Sequence, residues 1–212
     1  MSTATVRPDT AARMNTAALF PTAAFAVLTI AYVALNAATP HPDASGADVL
    51  AYTTAHHGSI DAGALLLLLA GAPLAIATAL LHRVLQAPPI AVIGGALASA
   101  ALTLSALFAW TGARLPATAA PELARSIADM GYMTGGPAFA AGFGLLAVGI
   151  SIPVLFGRSL PRWVGWFGSV IAVAAFVSGL ALVATPFSFL LPVVRFGGLI
   201  WLIATAIAAA RR

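Results

Sequence analysis

The chain has 212 residues, of which 61% are hydrophobic and only 8% are charged, and its formal net charge is +4 at neutral pH. Soluble domains carry about 25% charged residues, so this composition excludes a water-solvated globular fold. The sequence contains neither Cys nor Lys, which excludes disulfides, thiolate chemistry and lysine Schiff bases. Its basic residues are all Arg and are scattered, so no nucleic-acid partner is expected.

Six apolar stretches predict transmembrane helices. Each is close to the ~20 residues that cross the hydrocarbon of a bilayer, where only a helix satisfies its own backbone. The stretches are residues 17–38, 60–82, 90–112, 134–156, 163–184 and 189–210. The first is longer than the apolar core of a signal peptide, so we expect a retained helix. The sequence thus predicts an all-α, polytopic membrane bundle, a single domain over residues 1–212 with a polar tail at 1–16.

The distribution of arginines predicts the orientation of the bundle. With the N-terminus in the cytoplasm, seven arginines lie on the inner side and three on the outer side. The excess on the inner side predicts that both termini are cytoplasmic. We expect a multi-pass protein of the bacterial inner membrane, surrounded by its lipid bilayer. The acidic residues show the opposite bias, because five of the six lie in or beside the outer connections, 39–59 and 113–133.

Both outer connections are predicted to contain a short helix. Ser45 and Asp48 form a capping box that opens a helix, and Gly58 is expected to end it. From Pro121 onward, apolar and charged residues separate onto two faces over about three turns. This pattern predicts an interfacial amphipathic helix.

Arg195 is the most informative single residue. At 1.5 Å per residue, it is expected about 6–7 Å inside the hydrocarbon at the outer end of the last helix. A charged group at that depth usually faces the bundle interior and has a partner, for which Asp61, Glu122 and Asp129 are the candidates. The alternative is that Arg195 extends its side chain to the headgroups.

His57 and Asp61 are four residues apart and share a face if the second membrane helix begins before Ser59. Such a pair could act as a general base with its orienting group, or bind a metal together with His41 or Asp43. The spacing matches no closed metal motif. The simpler interpretation is that Ser59 caps the helix, Asp61 favours its positive end, and the histidines are solvated.

Aromatic residues cluster near the outer interface and could line the mouth of an apolar cavity, although belt aromatics have the same pattern. From these patterns we predict a site with Asp61, His57, Arg195 and Asp129 as candidate catalytic residues. The candidate ligand-binding residues are Tyr132, Glu122, Trp110, Tyr52 and His56. No cofactor or metal is predicted, because the nucleotide-binding loop, the serine-hydrolase elbow and the zinc-protease motif are missing from the sequence.

Two segments resemble a broad set of uncharacterised six-span bacterial membrane proteins, known only as a domain of unknown function. The first segment is ADVLAYTTAHHGSIDAGALLLLLAGAPLAIATALLHRVL, and the second is GRSLPRWVGWFGSVIAVAAFV. In that family, as here at Leu160 to Trp166, a Leu-Pro-Arg-Trp-Xaa-Gly-Trp turn opens the fifth span. The resemblance implies the six-span fold and no particular activity.

Three functions follow from the sequence. The first is an external pocket that binds a hydrophobic small molecule or lipid, with or without acid–base chemistry such as isomerisation, cyclisation or hydrolysis. The second is a non-catalytic accessory or scaffold subunit that packs small-residue faces, for example at Gly95 or Gly142, against another membrane protein or a second copy. The third, a transporter, is disfavoured because no acid or His lies near the middle of any span.

Overall fold

A computed structural model describes residues 16–157 and 159–212. These residues form helices and turns and contain no strand. Five of the helical stretches are long and apolar enough to cross a membrane, and a shorter apolar helix of 17 residues, Leu19–Leu35, precedes them. The chain is therefore built as a helical multi-pass membrane protein. Apart from Thr16, the predicted polar tail lies outside the described residues.

The helices are numbered here in chain order. They are α1 (Leu19–Leu35), α2 (Gly46–Ala55), α3 (His57–Leu85), α4 (Pro89–Ala113), α5 (Pro121–Met133), α6 (Phe139–Gly157), α7 (Arg162–Ser178), α8 (Leu190–Pro192) and α9 (Gly198–Ala210). A first π segment, Thr134–Ala138, joins α5 to α6, and a second, Val193–Gly197, joins α8 to α9. Two 3-10 turns, Gly179–Leu182 and Thr185–Phe189, connect α7 to α8.

The predicted helix after Pro121 continues directly into a membrane helix. α5, the first π segment and α6 form one stretch of 37 residues, Pro121–Gly157. Pro137 lies inside the π segment, whose wider turn lets the helix pass through a run of Gly and Pro that usually ends one. α5 is therefore an extension of a membrane helix rather than a separate element.

The predicted capping box starts α2. The hydroxyl of Ser45 accepts a hydrogen bond from the backbone nitrogen of Asp48 at 3.1 Å and donates one to its carboxylate at 2.7 Å. The predicted end at Gly58 is wrong, because α2 ends at Ala55 and Gly58 already belongs to α3. Only His56 separates the two helices, so α2 turns into α3 without a loop.

The apolar helices pack in a ring that follows chain order, α1–α3–α4–α6–α7–α9, and α9 closes the ring on α1. At its centre, Phe143 of α6 meets Trp201 of α9 edge to face, with ring centroids 6.0 Å apart. The indole nitrogen of Trp201 donates to the carbonyl of Val164 in α7 at 3.0 Å. This cluster ties three helices together and satisfies the polar atom of a fully buried side chain.

Glycines set the distance between α4 and α6. A Cβ placed at Gly142 would lie 2.5 Å from the backbone nitrogen of Ala98, and one at Gly149 would lie 2.6 Å from that of Ala91. Gly95 packs against Thr78 of α3 in the same way. The small-residue faces at Gly95 and Gly142 are thus used inside the chain, as close helix packing in membranes requires.

Large apolar side chains cover the outside of the ring. They include Leu65, Leu69, Ile76, Ile93, Leu97, Leu104, Val170, Val173 and Ile200. In water such a surface would drive aggregation, whereas in lipid it is the expected surface of a membrane helix.

Candidate functional site

A cavity opens at one end of the bundle. This end carries residues 36–61 and 114–133 and is called the polar end below. The cavity has a volume of about 910 Å³, in the upper part of the range of about 300–1,000 Å³ that is usual for small-molecule sites. α2 and α5 pack on each other above the ring through Val49, Leu50 and Ala124. Both helices form part of the cavity wall.

The cavity wall is mainly apolar, with a few polar groups. Phe139 lies on the wall and contacts Phe143 of the central cluster, with ring centroids 5.5 Å apart, so the cavity ends where the core begins. All three tyrosines of the sequence, Tyr32, Tyr52 and Tyr132, line the cavity. Its other polar lining residues include Asn36, His41, Asp43, Ser105, Arg125 and Arg195.

Arg195 enters the cavity from the second π segment and is partly buried. Its guanidinium donates a hydrogen bond of 2.5 Å to the carbonyl of Gly135 in the first π segment. The same guanidinium lies 5.4 Å from the ring centroid of Phe139 and 5.8 Å from that of Tyr32. The first and second π segments therefore meet at this arginine, and aromatic rings lie beside its charge.

The predicted ion pair of Arg195 with Asp61, Glu122 or Asp129 is wrong. Within residues 16–157 and 159–212, no carboxylate lies at ion-pair distance from Arg195. The prediction fails because two of these carboxylates form ion pairs elsewhere and the third faces solvent. Asp61 and Asp129 pair with other arginines, and Glu122 is exposed at the start of α5.

Asp61 belongs to a separate cluster between α3 and α4. Its carboxylate lies 3.3 Å from the guanidinium of Arg114, which in turn lies 4.3 Å from the ring centroid of Trp110. Neither Asp61 nor Trp110 lines the cavity. One carboxylate oxygen of Asp61 is buried and has no hydrogen-bond partner among the described residues.

Asp129 pairs with Arg125 one turn away on α5, with hydrogen bonds from two guanidinium nitrogens to one carboxylate oxygen. Arg125 also donates to the backbone carbonyl of Ala44 at 3.3 Å. This arginine lines the cavity with its charge balanced, and it fastens α5 to the residues before α2. Nearby, His41 and Asp43 form an exposed pair 3.1 Å apart at the cavity wall.

The two adjacent histidines do not enter the cavity. His56 and His57 are exposed, and the ring of His56 stacks on Tyr52 at a centroid distance of 4.4 Å. Of the nine predicted site residues, the structure places Arg195, Tyr132 and Tyr52 at the cavity, and it leaves the other six outside. Those six are Asp61, His57, Asp129, Glu122, Trp110 and His56.

The alternative of a metal site is not supported by the arrangement of the side chains. His41 and Asp43 are neighbours, but His57 and Asp61 belong to another part of the polar end. In the part of the chain that the structure describes, no three His, Cys, Asp or Glu side chains are grouped so that they could hold a metal ion.

Sequence reasoning missed Tyr32, Phe139 and Arg125 as cavity residues. Tyr32 lies three residues before the end of α1, where an aromatic residue of the interfacial belt is also expected. Only its position beside Arg195 distinguishes it from such a belt residue. The sequence pattern places Arg125 on the charged face of the helix that follows Pro121. The contact with Ala44, 81 residues away in sequence, could not be read from local spacing.

Comparisons with known proteins give no relative: no family model, curated protein or solved structure matches the chain. The resemblance to six-span proteins of unknown function therefore stays a prediction, and the proposals below rest on the chain's own residues.

Proposed function

We propose that the cavity at the polar end binds a hydrophobic small molecule or a lipid. The observation that carries this proposal is a cavity of about 910 Å³ whose wall is mainly apolar and includes a few polar side chains. Apolar walls with few convergent polar groups are the usual composition of small-molecule sites.

A ligand of this kind would come from the membrane. The last helix, α9, packs on α1, and beyond this contact Val33 of α1 and Phe196 of the second π segment both line the cavity. Phe189 and Phe196 also line the cavity, yet 67% and 41% of their surfaces are exposed. This apolar rim would give a hydrophobic molecule a route that avoids water.

We further propose that the polar end is external and that both termini are cytoplasmic, with α1 as the sixth membrane helix of an inner-membrane protein. The arginine distribution of seven inner against three outer residues supports this orientation. The polar end holds Asp43, Asp48, Asp61, Glu122 and Asp129, which is five of the six acidic residues of the sequence.

Binding rather than acid–base catalysis is the activity that the geometry supports best. The predicted catalytic residues do not converge, because Asp61 and Asp129 do not line the cavity and are paired with arginines, and His57 is exposed. The pair of His41 and Asp43 at the cavity wall is largely solvent-exposed, with side-chain exposures of 73% and 69%.

A pair of alanines on α4 provides the test. Ala109 lines the cavity, whereas Ala100 is exposed on the outside of the same helix. With the protein in phosphatidylcholine nanodiscs, Ala109→Phe should reduce saturable binding of the neutral dye N-phenylnaphthylamine by about tenfold, because the new ring occupies the site. Ala100→Phe should bind the dye as the wild type does. Equal binding by all three proteins would refute the proposal.

A further inference from the structure

Among the residues that the structure describes, Arg195 is the charged group at the cavity that has no ion-pair partner. The carbonyl of Gly135 accepts a hydrogen bond from one of its nitrogens, the side chain of Tyr32 interacts with the same guanidinium, and a guanidinium has five N–H donors. No carboxylate from the described residues lies at ion-pair distance, although the side chain lines the cavity and is partly buried. Donors therefore remain for a group that enters the cavity.

The surroundings of Arg195 stabilise its charge only in part. The rings of Tyr32 and Phe139 lie 5.8 and 5.4 Å from the guanidinium, and contacts of this kind offset only part of the cost of placing a charge in an apolar environment. An anion bound at this position would supply the remaining compensation.

The other charged side chains at the cavity wall have partners among the described residues. Arg125 is paired with Asp129, and Asp43 lies 3.1 Å from the imidazole of His41 in a pair that is largely exposed to solvent. Within the described part of the chain, Arg195 is therefore the partly buried charge that the cavity offers to a ligand. A ligand with one negative group matches this charge, whereas a cationic head would be repelled.

The rest of the wall near Arg195 is apolar. Phe108, Phe139, Leu191 and Phe196 line the cavity together with the arginine. An anion without an apolar tail would leave these side chains in contact with water, and a tail without an anion would leave Arg195 uncompensated. The wall matches a molecule that has both parts.

Resting on the proposed function, we propose that the ligand is an anionic amphiphile whose carboxylate or phosphate head binds Arg195 and whose tail lies along the apolar wall. A carboxylate head would come from a free fatty acid, and a phosphate head from a phospholipid or its derivative. Both heads can accept two parallel hydrogen bonds from a guanidinium.

The experiment compares heads on a common tail. Wild-type protein in phosphatidylcholine nanodiscs at pH 8 is loaded with N-phenylnaphthylamine, which is then displaced by dodecanoate, dodecyl phosphate or dodecanol. The inference expects the wild type to prefer at least one anion over dodecanol by about tenfold or more. The better of the two anions assigns the source of the head.

Variants of Arg195 show whether that residue causes the preference. In Arg195→Gln the preference should disappear while dodecanol still displaces the dye, which shows that the variant is folded. Arg195→Lys keeps the charge without the planar fork and should retain part of the preference. The matched control is Arg114→Gln, which removes a carboxylate-paired arginine at the same end of the bundle and should leave the preference unchanged.

The outcomes separate the two proposals. If dodecanol and both anions displace the dye from the wild type equally well, the inference is wrong and the proposed function stands. If Arg195→Gln keeps the anion preference, the inference is also wrong. If none of the amphiphiles displaces the dye, or if Ala109→Phe binds it as the wild type does, the proposed function itself fails.

Discussion

Arg114 and Arg195 lie at the same end of the bundle, and each has an aromatic ring beside its guanidinium. Arg114 has a carboxylate 3.3 Å away, and 49% of its side chain is exposed. Arg195 is partly buried, and its hydrogen-bond acceptor is the carbonyl of Gly135 rather than a carboxylate. Among the residues that the structure describes, the less exposed of these two arginines is thus the one without an ion-pair partner, which reverses the usual relation between burial and pairing.

This difference separates a structural role from a functional one. A charge that is paired within the chain is complete and gives a ligand little to recognise. A charge that is kept without a counterpart costs stability, and proteins tolerate such a cost mainly at functional sites. Three experiments test the contrast between the two arginines.

Reversing the two charges should have the largest effect. In Arg195→Glu we expect the affinity for anionic amphiphiles to fall by about 100-fold or more, because attraction becomes repulsion within the cavity. Displacement by dodecyltrimethylammonium should become more effective in the same variant. Arg114→Glu, measured in the same nanodisc assay, should change neither affinity, and a similar loss in both variants would remove the contrast.

Removing the two charges should change stability in opposite directions. Arg195→Met in the ligand-free protein should raise the free energy of unfolding by about 1 kcal/mol, because an uncompensated charge is replaced by an apolar chain. Arg114→Met should lower it by about 0.5–1 kcal/mol, since Asp61 then loses its only ion-pair partner among the described residues. Thermal unfolding followed by circular dichroism in one detergent measures both, and a lower stability of Arg195→Met would show that its contacts are structural.

Neutralising the carboxylate should have the smallest effect. Asp61→Asn should change stability by about 0–1 kcal/mol, because the pair it breaks is substantially exposed. Anion binding should be unchanged, since Asp61 does not line the cavity. A clear loss of dodecanoate displacement in this variant would instead restore the sequence-based prediction that Asp61 serves Arg195.

The sequence was informative about the elements and less so about their partners. Hydropathy located the spans at 60–82 and 90–112 within a few residues of α3 and α4, because the apolar length of a membrane helix is set by the bilayer. The capping box of Ser45 and Asp48 was found because it is a local pattern. The continuity of α5 with α6 was missed, since a π turn allows Gly135, Gly136 and Pro137 inside a helix.

Of the predicted site residues, Arg195, Tyr132 and Tyr52 line the cavity, whereas the carboxylates predicted as partners of Arg195 do not. Depth in the last span identified Arg195, because the cost of a charge in hydrocarbon depends on position along a single helix. Its partners depend on how six helices are rotated against one another, and local spacing does not encode that rotation. Arg114 therefore was not recognised as the partner of Asp61, although both residues were placed at the outer side.

The second π segment gives the last membrane helix a phase shift. A π turn accommodates about one residue more than an α turn, and each residue advances an α-helix by about 100°. Removing one residue from Val193–Gly197 would let the helix continue in regular α geometry from Leu190 to Ala210. The part of this helix that carries Arg195 would then rotate by about a quarter of a turn relative to the part that carries Trp201. The guanidinium would lose its contact with the Gly135 carbonyl. The orientation of the Arg195 side chain is thus determined by the number of residues in this π segment as well as by the identity of the residue.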